Sequence, residues 1–74
     1  MKLCDLKIGS SSYIKNINLD NSSKIRLNEL GITKGTKITK MLNNNGINAY
    51  YFKNTLIAIR NKDASNIIIG DIND

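Results

Sequence analysis

Residues 26–35 decide the fold of this 74-residue chain, and they read Arg26-Leu27-Asn28-Glu29-Leu30-Gly31-Ile32-Thr33-Lys34-Gly35. Leu27 and Leu30 lie three positions apart and therefore share one face of a helix. Gly31 is placed to end that helix in the left-handed conformation, and Gly35 supplies the positive φ of a tight turn. The stretch predicts a short helix, about residues 23–30, inserted between two strands, with Leu27, Leu30 and Ile32 plugging the core.

Five strand-like runs flank that helix, at residues 13–19, 36–42, 49–53, 56–59 and 67–72. Ile14 and Ile17 have opposite parity in the first run, so both can face a core only across a bulge or a later strand start. The fully apolar run 56–59 is typical of a strand covered on both faces. Because closure removes exposed sheet edges, the pattern favours a mainly β, SH3-like barrel of five to six strands with one inserted helix, in a single domain spanning residues 1–74.

The residue types argue against an enzyme. The chain has no histidine, so its single thiol, Cys4, has no imidazole base, and Gly31 and Gly35 lack the Lys-Ser/Thr of a phosphate-binding loop. A lone cysteine also builds no internal disulfide and no paired-thiol metal site. Ferrous iron usually draws on imidazole and carboxylate ligands, and the six carboxylates are scattered along the chain. We therefore expect no catalytic, cofactor-binding or metal-binding residues.

Charge and the N-terminal residues restrict the partner and the compartment. Eleven Lys/Arg against six Asp/Glu give a net charge of +5, which suits an acidic protein surface, RNA or an anionic membrane. The basic residues are dispersed singly, and a nucleic-acid footprint would be denser, so no nucleic-acid partner is expected. Charges at positions 2, 5 and 7 exclude a signal peptide, and no 18-residue apolar run follows. We expect a cytoplasmic protein that does not insert into a membrane.

Three groups of residues follow one another along the chain: Leu3, Leu6 and Gly9; Arg26-Leu27-x-x-Leu30-Gly31-Ile32-x-x-Gly35-x-x-Ile38; and Ile57-Ala58-Ile59-Arg60-x-x-x-Ala64-x-x-Ile67-x-Ile69. In this order and at these separations, the chain resembles the FeoA family of bacterial ferrous iron uptake. The resemblance implies a non-catalytic SH3-like accessory protein that binds the cytoplasmic, GTPase-containing part of the transporter FeoB and is recruited by it to the inner face of the membrane. Family members often carry a proline-flanked glycine in the central hairpin loop, whereas residues 43–48 keep only the glycine.

The expected partner surface lies on the central hairpin. If Ala49 and Tyr51 point inward, as the family pattern suggests, alternation turns Tyr50 and Phe52 outward. Exposed aromatic and basic side chains would then form a patch of the kind enriched in binding sites. The alternative places Phe52 inside, with a different register. The predicted partner-binding residues are Tyr50, Phe52, Lys53, Lys37 and Lys40.

Several alternatives stay open from the sequence. Arg26 and Arg60 either anchor a partner carboxylate or bond to nearby backbone carbonyls or to Glu29. The chain could also associate with itself. Two other assignments are an RNA-binding SH3-like module, whose phosphate contacts would weaken steeply as salt rises, and a stand-alone relative of the SH3-like domain of metal-dependent repressors.

Overall fold

The computed structural model describes residues 1–70, which form a five-stranded sheet, two α-helices and a short 3-10 helix. In chain order these are the 3-10 helix Leu3–Asp5, strand β1 Ser11–Ile17, helix α1 Asn21–Leu30, strands β2 Lys37–Asn44, β3 Ile47–Phe52 and β4 Thr55–Arg60, helix α2 Asn61–Ala64 and strand β5 Ile67–Ile69. The end of the predicted last strand, at residues 71 and 72, lies outside the described residues. The mainly β architecture with one inserted helix is the one that the sequence predicts, and that helix begins at Asn21, two residues before its predicted start.

The sheet has the order β4-β3-β2-β1-β5, and every neighbouring pair is antiparallel. The predicted bulge in β1 is confirmed, because the pairing with β5 shifts between Ile14 and Asn16 and both Ile14 and Ile17 are buried. Met1 lies beside β5, where the N–H of Ile69 donates to its carbonyl at 2.8 Å. At the opposite edge, no other strand of residues 1–70 pairs with the outer side of β4.

Strand β4 is less buried than its sequence predicts. The prediction that residues 56–59 are covered on both faces is wrong, since only Ile59 is fully buried and Leu56 is 60% exposed. Within residues 1–70, β4 pairs only with β3. One face of the strand meets the core and the other meets solvent, so Leu56 and Ala58 lie on the surface.

Both ends of α1 are capped. The carboxylate of Asp20 accepts a hydrogen bond from the N–H of Ser23 at 3.0 Å. At the other end Gly31 has a φ of 97°, and its N–H donates to the carbonyl of Asn28 while the N–H of Ile32 donates to the carbonyl of Leu27. This pair of bonds is a Schellman motif, which requires a residue that tolerates the left-handed conformation. The predicted helix stop at Gly31 is confirmed.

The predicted burial of Leu30 is wrong. Leu30 is 49% exposed, whereas Leu27 and Ile32 are 8% and 1% exposed. A Schellman motif brings the residue after the glycine back beside the residue one turn inside the helix. Ile32 therefore joins Leu27 in the core and takes the place that helical spacing assigned to Leu30.

Every helix and strand contributes to one hydrophobic core. Its largest member is Tyr50, which is fully buried. The 3-10 helix, α2 and β5 close one side of the core, while β2, β3 and β4 keep one of their faces exposed. None of the helices within residues 1–70 is long and apolar enough to cross a membrane. The core residues are Leu3, Leu6, Ile14, Ile17, Leu27, Ile32, Ile38, Tyr50, Phe52, Ile59, Ala64, Ile67 and Ile69.

The Asp20 cap makes stability depend on pH in a defined direction. The side chain and the N–H of Ser23 hydrogen-bond to this carboxylate and hold the pKa of Asp20 below its ordinary value of 3.8. A lowered pKa in the folded state stabilises the protein at pH values above 3.8, and that contribution is lost as the pH falls through the folded-state pKa. We expect Asp20→Ala to lower the Tm by a few degrees at neutral pH. The difference from the wild type should shrink in melts well below pH 3.8, and a constant difference would contradict this origin.

Candidate partner-binding surface

Strand β3 presents the opposite face from the one that its sequence predicts. The outward orientation predicted for Tyr50 and Phe52 is wrong, because they are 0% and 2% exposed. Ala49 is only partly buried and Tyr51 is 39% exposed. The alternative register with Phe52 inside is confirmed. Tyr50 and Phe52 therefore belong to the core, and Tyr51 is the aromatic side chain of β3 that a partner can reach.

Hydrogen bonds inside the core explain this register. Asn48 has the same parity as Tyr50 and Phe52 and is 1% exposed, which places a polar side chain at an inward position. Its amide donates to the hydroxyl of Tyr50 at 3.3 Å and to the side-chain oxygen of Asn61. The Tyr50 hydroxyl in turn donates to the carbonyl of Leu3 at 3.4 Å. Burial raises the pKa of Tyr50 above its ordinary value of 10.0, so the hydroxyl remains protonated as the donor that this network needs.

Lys40 also lies inside, contrary to its predicted place in a partner patch. It pairs directly with Tyr50 across β2 and β3, and the residue is 5% exposed. Its ammonium group donates to the carbonyl of Cys4 at 3.0 Å. A long side chain can cross the edge of a core in this way, because its methylene groups are buried while its charged end finds an acceptor. Of the three lysines predicted to bind a partner, only Lys37 and Lys53 are exposed.

The exposed side of β2, β3 and β4 forms a continuous apolar surface, here called the outer face. Opposite residues on antiparallel strands project to the same side of the sheet. Ala49 lies opposite both Leu42 and Ala58, and Tyr51 lies opposite Leu56. The large members are 39% to 60% exposed. The outer face consists of Leu42, Ile47, Ala49, Tyr51, Leu56 and Ala58.

Positive charge borders the outer face on two sides. Lys37 and Lys53 lie beyond the row of Tyr51 and Leu56, and Arg60 lies opposite Ile47 at the other end. The sequence contains no Asp or Glu between Glu29 and Asp63. Within residues 1–70, only Arg60 of these three cations forms an ion pair with a carboxylate. The surface therefore combines exposed apolar area with an excess of positive charge.

A shallow groove of about 540 Å³ continues from the outer face on the lysine side, here called the lysine groove. The Lys53 ammonium group sits 3.5 Å from the carbonyl of Gly31 at the end of α1. Gly35 has the predicted positive φ, at 88°, and turns the chain into β2 beside the groove. Three lysines line the groove together with threonines and the ring of Tyr51, so the groove combines positive charge with apolar surface. Its main lining residues are Thr33, Lys34, Lys37, Thr39, Tyr51 and Lys53.

The two arginines of the central motif have different surroundings. Arg60 forms an ion pair with Asp63 at 3.1 Å, a partner that the sequence did not suggest. Arg26 contributes to the lowered pKa of Asp20 and borders a groove between α1 and β4 that also includes Leu30 and Ile57. Anchoring of a partner carboxylate by Arg26 or Arg60 stays a prediction.

The described residues contain no cluster of metal-ligating side chains. Across residues 1–70, no three side chains of the types His, Cys, Asp and Glu come together as a metal site would require. Cys4 is partly buried against the core, and its thiol donates a long hydrogen bond of 3.8 Å to the carboxylate of Asp5.

Comparison with known proteins identifies the sequence pattern and the fold. A family model described as the FeoA domain matches residues 1–70. No curated protein matches the sequence significantly.

Solved structures with the same fold share little sequence with this chain. The solution structure of the FeoA protein from Chlorobium tepidum is 22% identical and superposes with a TM-score of 0.84, covering 93% of this chain and 68% of that one. The Stenotrophomonas maltophilia FeoA crystallised with zinc is 22% identical, with a TM-score of 0.80 over 95% of this chain and 89% of that one, and is described as a prokaryotic SH3 domain protein. A manganese-dependent transcriptional repressor reaches a TM-score of 0.87 at 12% identity, over 97% of this chain and 41% of that one. At these identities the likeness concerns the fold, which is SH3-like.

Proposed function

Because the chain belongs to the FeoA family, we propose that it is a non-catalytic accessory protein of bacterial ferrous iron uptake. It binds the cytoplasmic, GTPase-containing part of a FeoB-type transporter by protein–protein contact. The Stenotrophomonas maltophilia FeoA is described as a candidate activating factor of ferrous iron transport, which fits this role. The protein works in the cytoplasm and reaches the inner face of the membrane through its partner.

The outer face is the observation that carries this proposal. It exposes four large apolar side chains beside two alanines on one side of three strands. Contiguous apolar surface of this kind on a small protein marks an interaction site, because exposing it to water without a partner is unfavourable. The bordering cations direct the protein towards an acidic partner and away from basic ones.

The partner-binding residues of this proposal differ from those expected from the sequence. Lys37 and Lys53 remain, while Tyr51 and Leu56 take the place of the buried Tyr50 and Phe52. Tyr51 belongs to the outer face and also lines the lysine groove, so it connects the two. Aromatic side chains at such positions frequently carry much of the binding energy.

Binding to the isolated cytoplasmic region of the cognate transporter tests the proposal. We expect the double variant Leu42→Ala/Leu56→Ala to bind at least about tenfold more weakly than the wild type, which corresponds to about 1.4 kcal/mol. These leucines are 56% and 60% exposed, so their truncation should leave the fold intact. Calorimetric titration gives both affinities.

The matched control is Ile25→Ala/Leu30→Ala, which removes similar side chains that are 57% and 49% exposed on α1. This control should bind like the wild type. Loss of binding in the control alone would move the interface to α1, and no binding by the wild type would contradict the proposed function itself.

A further inference from the structure

The outer face has the shape of a trough. Its floor is the cross-strand pair Ala49 and Ala58, the two smallest side chains on this side of the sheet. Two positions away along the strands, Tyr51 and Leu56 rise on one side, and Ile47 and Arg60 rise on the other. The larger side chain of Leu42, opposite Ala49, ends the floor at β2. At the other end, no strand of residues 1–70 pairs with the outer edge of β4.

The dimensions of the trough match an α-helix. Four residues of extended strand separate the Cα atoms of one wall from those of the other, a distance of about 13 Å at roughly 3.3 Å per residue. A helix with its side chains is about 10–12 Å across. The floor spans β3 and β4, which lie about 5 Å apart, so about one helical turn covers it before the helix continues past the outer edge of β4. A helix lying across the strands, over the two alanines, would touch both walls.

The charges around the trough select among possible occupants. A second copy of this chain would present the same surface, on which Lys37 and Lys53 form no ion pair with a carboxylate of residues 1–70 and Arg60 is already paired with Asp63. Two such surfaces would bring their lysines together, with no carboxylate left to offset the repulsion. A helix with carboxylates beside an apolar stripe instead meets Lys37 and Lys53 at one wall.

From this geometry we infer that the outer face receives an amphipathic α-helix of its partner, lying across β3 and β4 with its apolar stripe over Ala49 and Ala58 and acidic side chains on the flank that faces Lys37 and Lys53. The inference rests on the proposed function, since the cytoplasmic part of the FeoB-type transporter would supply the helix. Apolar residues at helical spacing would fill the trough in the usual helix-in-groove manner.

Filling the trough tests the inference directly. We expect Ala58→Leu in the full chain to weaken binding of the transporter's cytoplasmic region at least tenfold, although it adds apolar surface, because the new side chain occupies the floor. Ala58→Ser, which keeps the floor nearly as small, should change the affinity less than about threefold. Position 58 is exposed on an edge strand, so both variants should keep the wild-type Tm.

Two double variants that change the net charge by the same amount test the acidic flank of the proposed helix. Lys37→Glu/Lys53→Glu should abolish measurable binding, whereas Lys15→Glu/Lys24→Glu, which removes the same amount of charge elsewhere, should weaken it only through slower association. Equal effects of the two pairs would overturn the assignment of local acidic contacts.

The outcomes separate this inference from the proposed function. A wild type that does not bind the cytoplasmic region refutes both. If the wild type binds and Ala58→Leu binds equally well, only the helix in the trough is refuted, and a strand added to the edge of β4 becomes the better description. Dimerisation of the wild type that Ala58→Leu abolishes would assign the trough to a second copy instead.

Discussion

Replacing Tyr50 with alanine is expected to lower the free energy of unfolding by about 3–5 kcal/mol, in line with other truncations of buried aromatic residues. The side chain is 0% exposed and is the largest fully buried one in the core. Its loss leaves a cavity and removes the hydroxyl that bonds to Asn48 and to the carbonyl of Leu3. A chain of this length has a total stability of about 4–11 kcal/mol, so the variant should be close to unfolding at room temperature.

Urea denaturation followed by circular dichroism measures this effect, and the neighbouring tyrosine supplies the control. Tyr51 is 39% exposed, and its hydroxyl donates to the exposed Asn54 side chain. We expect Tyr51→Ala to cost less than about 1 kcal/mol, because surface substitutions rarely cost more. Similar losses in the two variants, or a larger loss for Tyr51→Ala, would contradict the observed orientation of β3.

Truncation of Ile32 is expected to cost about 2–5 kcal/mol of unfolding free energy. Ile32 is 1% exposed and packs in the core together with Leu27 after the chain reverses at Gly31. Its removal opens a cavity at the end of α1, and the short helix would have to shift to fill that cavity. Chemical denaturation of Ile32→Ala against the wild type gives the difference.

Leu30→Ala is the matched comparison for Ile32→Ala. It removes a similar side chain two positions earlier, yet Leu30 is 49% exposed. We expect a change within about 0.5 kcal/mol, since the site is on the surface and alanine is a good helix former. A loss for Leu30→Ala as large as that for Ile32→Ala would mean that the helix presents the face that its spacing alone suggests.

The end of α1 and the turns of the sheet were predictable because they depend on a few adjacent residues. Gly31 and Gly35 adopt the positive φ expected for their positions, since a residue without Cβ does so at little cost. The hairpin that Asn43–Gly46 predicts does join β2 to β3, but its turn is only Asn45 and Gly46, both with positive φ, because Asn43 and Asn44 still pair with β3. The bulge in β1 follows in the same way from the opposite parity of Ile14 and Ile17.

The candidate site was predicted less well, because the orientation of a strand depends on contacts that are distant in the sequence. Residues 49–52 are apolar at every position, so their pattern does not tell which side faces the core. The amide nitrogen of the buried Asn48 donates to Asn61, thirteen residues later. Lys40 is buried beside the carbonyl of Cys4, thirty-six residues earlier. These partners satisfy the two nitrogen donors, which would otherwise oppose burial.

The sequence by itself determined the number of strands, the place of the inserted helix, its glycine stop and the excess of positive charge. Those properties arise from backbone preferences and residue types that act over a few positions. Only the tertiary structure decided that Ile32 replaces Leu30 in the core, that Tyr51 and not Tyr50 is exposed, and that β4 leaves Leu56 and Ala58 on an open surface. Each of these outcomes depends on which distant groups supply hydrogen bonds and fill space, and a local pattern does not contain that information.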